Sequence, residues 1–191
     1  MENLIRFFAA SNLIGQQKAE AIAAQFTPRT IAKNEFYLRE RQVSNEYFFL
    51  DRGFLRAFAH DVDGNEVTTD FYTSGQVVFE VFSFFDRTPS KENIQALTEC
   101  SGWYITYEQL NHLFHSLPEF REFGRSLLVK GYAALKLRML AMITETAEAR
   151  YAHLLHNKPE ILQAAPLKYI ASYLGITDTS LSRIRKELAV K

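Results

Sequence analysis

Six side chains near the C-terminus, Asp178, Thr179, Ser180, Ser182, Arg183 and Lys186, are short or basic and are left on the outside once Leu181 and Ile184 are turned inward. An arginine can bond a guanine edge with two hydrogen bonds, and Ser, Thr and Lys can hold phosphate oxygens. A helix carrying such groups near its N-terminus has what a major-groove reader needs. The expected chemistry is recognition of a polyanion, not the making or breaking of bonds.

Other chemistries find little support. The chain has no Gly-rich phosphate loop, no nucleophile elbow and no HExxH. The carboxylate pair Glu119/Glu122 fits a solvated helix surface. His112/His115 and His153/His156 are i, i+3 pairs without a nearby third ligand, so no metal is expected. The single cysteine, Cys100, excludes an internal disulfide and any all-cysteine zinc or iron–sulfur site within one chain. It reads as a small core residue near the end of a strand. No enzyme is expected.

The reading helix needs a partner to hold it. Leu167–Leu174 predicts a first helix, with Ile170 and Leu174 inward and the small Ala171 where two helices approach closely. Gly175 ends it, since glycine tolerates the left-handed conformation of such a stop. Ile176 fills the corner, and Thr177 is a good N-cap for the second helix. Together these are the spacings of a helix-turn-helix. Formal charge supports the reading. The 191 residues are neutral overall, yet Glu148–Lys191 carries seven basic and four acidic residues, leaving residues 1–147 net acidic.

Upstream the texture differs. Ala19, Ile22, Ala23 and Phe26 predict a helix ended by Pro28. EYFFLD, FLRAFAH, EVTTDFY, NIQALT and GWYITY predict short strands, and Asp63-Gly64 predicts a hairpin. Close strands with turns between them indicate a sandwich or barrel. After Pro118 the pattern is helical. Leu128, Tyr132, Leu135, Met139 and Met142 are spaced 4, 3, 4, 3, an a/d seam for a second helix. Phe123, Leu127, Ala134 and Ala141 form another stripe, so one face would pack on the chain's own barrel and the other on a second subunit, giving a two-fold dimer. Thr144–His156 predicts a further helix, and NKPEILQAAP a linker.

This layout resembles the Crp/Fnr superfamily of bacterial transcription regulators over nearly the whole chain. The marks are LRERQ (38–42), SNEYFFLDRGFLR (44–56), the DGNE hairpin, GQVVFEVFSFF (75–85) and ASYLGITDTSLSRIRKEL. The resemblance implies an α+β fold: an N-terminal double-stranded β-helix (a jelly-roll-like β-roll), a long dimerisation helix and an all-α helix-turn-helix domain. The expected divisions are 1–117, a cyclic-nucleotide-binding-like sensor, then 118–145 and 146–191. It also implies that Asp178, Thr179 and Arg183 read bases, while Thr177, Ser180, Ser182 and Lys186 grip phosphate.

In the family a Gly-Glu pair and a later Arg-Ser or Arg-Thr hold a cyclic nucleotide. Here Glu80, Ser90 and Lys91 stand in the corresponding stretch, with Phe79 in place of the glycine and no arginine at the phosphate position. Lysine lacks the planar fork that bonds a phosphate twice. Arg41 also replaces a frequent glycine of the entry turn. These departures argue against a cyclic nucleotide, and they leave open a Phe-filled pocket or another small-molecule effector. No cofactor is expected to be required. The expected partners are double-stranded DNA, a second copy of the chain and RNA polymerase. With no signal-peptide pattern and no apolar run near ~18 residues, the expected place is the cytoplasm, without a membrane contact. The rival reading is a sensor that acts through protein partners without binding DNA.

Overall fold

A computed structural model of the chain describes residues 1–189. Helices α1 (Glu2–Ala9) and α2 (Gln16–Ala23) precede the strands β1 (Thr27–Ile31), β2 (Phe36–Leu38), β3 (Glu46–Arg52), β4 (Leu55–His60), β5 (Glu66–Tyr72), β6 (Gln76–Val78), β7 (Asn93–Ala96) and β8 (Cys100–Thr106). A short helix α3 (Val81–Asp86) lies between β6 and β7. There follow α4 (Tyr107–Ser116), α5 (Pro118–Thr144), α6 (Ala147–Asn157), α7 (Pro159–Ala164), α8 (Leu167–Tyr173) and α9 (Asp178–Ala189).

The strands form two antiparallel sheets, ordered β1-β8-β3-β6 and β2-β7-β4-β5. Ile31, Leu38, Phe48, Leu50, Leu55, Ala57, Ile94 and Cys100 belong to one buried cluster contributed by both sheets. The Asp63-Gly64 hairpin forms as its turn residues predict: Asp61 accepts from the Asp63 and Asn65 amides, and Gly64 has φ +83°. The β4–β5 ladder is not regular. Ala57 pairs with Asp70 but Phe58 pairs with Thr68, so Thr69 is an extra, unpaired residue.

Three expectations are corrected. Pro28 does not end a helix: α2 stops at Ala23, and Pro28 lies in β1 opposite Trp103. β1 is an edge strand, where a missing N–H is tolerated. NKPEILQAAP is not a linker, because it contains α7. Proline at the first helical position loses only an amide that has no intrahelical partner anyway, and Ile161 is fully buried. The second stripe of α5 is not continuous. Phe120 and Phe123 are buried against Phe7 and Phe8 of α1, with Leu127 packed beside them. Ala134 is exposed and Ala141 half-buried, because α5 runs past this aromatic cluster after its first three turns.

A third apolar cluster joins the helical C-terminal part to the outer side of the second sheet. Phe54 and Phe71 pack with Ile161, Ile170, Ala171, Leu174, Leu181 and Ile184.

Candidate nucleic-acid interface

The turn between α8 and α9 is fixed by backbone bonding. The Ile176 amide donates to the Ala171 carbonyl at 3.0 Å and the Gly175 amide to the Ser172 carbonyl at 3.1 Å. This pair of bonds is a Schellman stop, and it requires the left-handed φ of +68° that Gly175 adopts. A Cβ here would also meet the Met142 methyl. Thr177 then caps α9: its Oγ1 accepts from the Ser180 amide at 3.2 Å. Ile170, Ala171, Leu174, Leu181 and Ile184 are all buried, so the two helices are locked by their apolar sides.

The opposite side of α9 faces out. Asp178, Thr179, Ser182, Arg183 and Lys186 are exposed and Ser180 is half-buried. Arg183 lies 3.9 Å from Glu187, both side chains being largely exposed, a contact that holds the guanidinium only weakly. Of the groups expected to grip phosphate, Thr177 and Ser180 already bond each other, 3.0 Å apart. Ser182 and Lys186 have no side-chain partner among the described residues.

The stretch from Phe79 to Lys91 is arranged differently. Glu80 caps α3, accepting from the Phe82 and Ser83 amides at 3.1 and 2.7 Å. Ser90 is buried; its hydroxyl donates to the Glu92 carbonyl and accepts from the Glu92 amide. Lys91 is exposed. The Phe79 ring packs on Tyr47, Phe84 and Phe85. Arg87, the arginine within this stretch, donates to the Ser44 carbonyl at 2.9 Å and to the Asn45 side chain. Arg41 does take the glycine-like conformation its position suggests, φ +69°. A cavity of about 410 Å³ lined by Arg29, Tyr37, Ser44 and Glu46 borders this stretch at Ser44, whose carbonyl accepts from Arg87, and includes none of Glu80, Ser90 and Lys91.

Residues 28–116 match the family described as Cyclic nucleotide-binding domain. No curated relative matches the chain. Among solved structures, FixK2 from Bradyrhizobium japonicum superposes with a TM-score of 0.74 at 17% identity, covering 86% of this chain and 85% of that one. The c-di-GMP-responsive global regulator CLP of Xanthomonas campestris gives 0.69 at 18%, covering 90% of each chain. A protein of Eubacterium rectale described as a transcriptional regulator of the Crp/Fnr family gives 0.71 at 14%, covering 97% of this chain and 88% of that one. The chain has the Crp/Fnr fold. It is a mixed α and β molecule with an antiparallel sandwich, a long helix and a helical C-terminal region.

In this Crp/Fnr-fold chain the seam residues Leu128, Tyr132, Leu135, Met139 and Met142 are all exposed, by 41–71%. Val129, Leu137, Leu140 and Ile143 widen the uncovered apolar surface. Among the described residues no helix is long and apolar enough to cross a membrane, and no group of acidic, His or Cys side chains could hold a metal. Sequence reasoning missed the polar contacts between the sheets and α8, made by Arg56, Thr68, Arg138 and Ser172. Their partners lie up to 104 positions away, and only the arginine inside the apolar run FLRAFAH hints at them.

Proposed function

We propose that the chain is a homodimeric transcription regulator of the Crp/Fnr type that reads a two-fold-related operator. The observation that carries this reading is the outer face of α9. Thr179, Ser182, Arg183 and Lys186 stand exposed on a helix whose other side is locked into its own core. The two copies pair through the exposed seam from Leu128 to Met142, and each places α9 in a major groove, with half-sites about 34 Å apart. Asp178, Thr179 and Arg183 reach bases, and Ser182 and Lys186 hold phosphates, with Thr177 and Ser180 beside them. Residues 1–117 act as the sensor, 118–145 as the dimer helix and 146–191 as the DNA-binding head.

The sensor does not use cyclic nucleotide. Glu80 and Ser90 are engaged by the chain's own backbone, Phe79 and its aromatic neighbours crowd the stretch, and no arginine faces the phosphate position. Burying an uncompensated phosphate there would be unfavourable. The test is selection of random duplex DNA by the purified protein with no small molecule added. Enrichment of a palindrome supports the reading. Absence of enrichment, with or without cyclic nucleotide, overturns it in favour of a sensor that acts through protein partners.

A further inference from the structure

The helix α8 is seated on β4 and β5 by a continuous set of polar contacts. The Thr68 amide donates to Ser172 Oγ at 2.7 Å, and Ser172 Oγ donates to Thr68 Oγ1 at 2.9 Å. Arg56 is fully buried beneath them. Its Nε donates to Thr68 Oγ1 at 2.9 Å and its Nη1 to Glu66 at 2.6 Å. Its guanidinium lies 3.6 Å from the centre of the Tyr169 ring of α8 and 4.3 Å from that of Phe58. A buried arginine is tolerated only with such partners, and one of them, Tyr169, comes from the head.

A second contact set enters from the long helix. Arg138 of α5 donates to the Thr69 carbonyl on one side and to the Tyr173 carbonyl, 3.3 Å away, on the other. Its guanidinium stacks 3.9 Å from the centre of the Tyr173 ring, which itself packs on Phe71. Thr69 is the unpaired residue of β5, so its carbonyl is open to such a donor. Arg150 of α6 adds two bonds to the Leu174 carbonyl, at 3.2 and 2.9 Å. One side chain, Arg138, thus ties dimer helix, roll and head together. The seat uses α8 and leaves the outer face of α9 exposed, so seating and groove contact do not compete.

We infer that this seat fixes the heads for DNA reading without a bound effector, and that Arg138 and Ser172 are positioning residues. The inference rests on the DNA-binding reading above. Two half-sites must be met at once, and a head that swings freely must be ordered at the moment of binding, which weakens association. A seated head is already ordered.

The experiment uses the full dimeric chain and the variants Ser172→Ala, Arg138→Ala and Arg138→Lys. Exchange of the Thr68 amide is followed, and affinity is measured on the selected palindrome and on a duplex with one half-site. Expected for Ser172→Ala and Arg138→Ala are faster Thr68 exchange and a loss of about tenfold or more on the palindrome, with half-site affinity kept within about twofold. Arg138→Lys, which keeps the charge but not the fork, should recover part of the loss. Equal loss on both duplexes marks a merely structural role and overturns the inference. Faster exchange with unchanged palindrome affinity overturns it too, and tighter binding would make the seat a restraint. A wild-type chain that selects no duplex removes the DNA-binding reading and the positioning role together, while Thr68 exchange still reports whether the seat exists.

Discussion

The outer face of α9 and the stretch from Phe79 to Lys91 carry similar polar side chains, but they use them in opposite ways. On α9, Thr179, Ser182 and Lys186 have no side-chain partner among the described residues, and Arg183 has only a distant one. In the other stretch, Glu80 closes the start of α3 and Ser90 closes its own turn. A hydrogen-bonding group committed to its own backbone must lose that bond before it can hold a ligand, and an orphaned buried group costs about 1–3 kcal/mol. The contrast separates a surface arranged for an outside partner from one arranged for itself.

The hardest blow to the outward-facing half would be Leu135→Asp. The seam must hold two heads on one duplex, so light scattering should find a monomer, and affinity for a palindrome should fall by more than about 100-fold. A tight-binding monomer would break the proposed assembly. Next is the contrast between two α9 substitutions. Arg183→Ala should relax selectivity at one base position by about 1–3 kcal/mol, whereas Lys186→Ala should weaken every sequence alike and lower the salt slope by about one. Equal loss on every sequence for Arg183→Ala would count against base reading. A smaller effect is expected from Gly175→Ala. Forcing an alanine into the left-handed conformation should lower stability in denaturant titration by about 1–2 kcal/mol; the flexible Met142 can move aside.

The smallest effect probes the inward-facing half. Burial, with Glu80 and Asp70 adding to it, pushes the Glu92 carboxyl above its usual range. The folded chain therefore holds this proton more firmly than the unfolded chain does. The associated stability is present at low pH and is lost as pH rises from about 4 through the raised value. Glu92→Gln removes the charged form, so its melting temperature should exceed that of wild type at neutral pH. The gain should shrink on acidification. A gap that does not change with pH would place the effect elsewhere.

Local signals made α9 and the hairpin legible. Thr177, Gly175 and Asp63-Gly64 each dictate backbone geometry within four residues, and all behave as their types require. The strand β3, with three consecutive aromatics, and the apolar run of β4 were equally plain. β2 and β6 have three residues each, too few for a period to register, and β1 is disguised by its proline. The helix α7 was hidden because two prolines bracket a sequence whose only anchor is Ile161. The seat was out of reach, since Ser172 meets Thr68 across 104 positions and nothing local marks either residue.

The irregular rung in β5 has a consequence that can be put as parity. Thr68 and Phe71 both face the head, one bonding Ser172 and the other packing on Tyr173. They are an odd number apart, and in an unbroken strand odd neighbours point to opposite sides. The extra Thr69 makes the count come out even. Deleting that one residue would leave Thr68 and Phe71 two positions apart, still on the same side, and would remove the carbonyl that accepts from Arg138. A single-codon deletion at Thr69 would thus keep Thr68 and Phe71 facing the head while taking away the anchor point of Arg138.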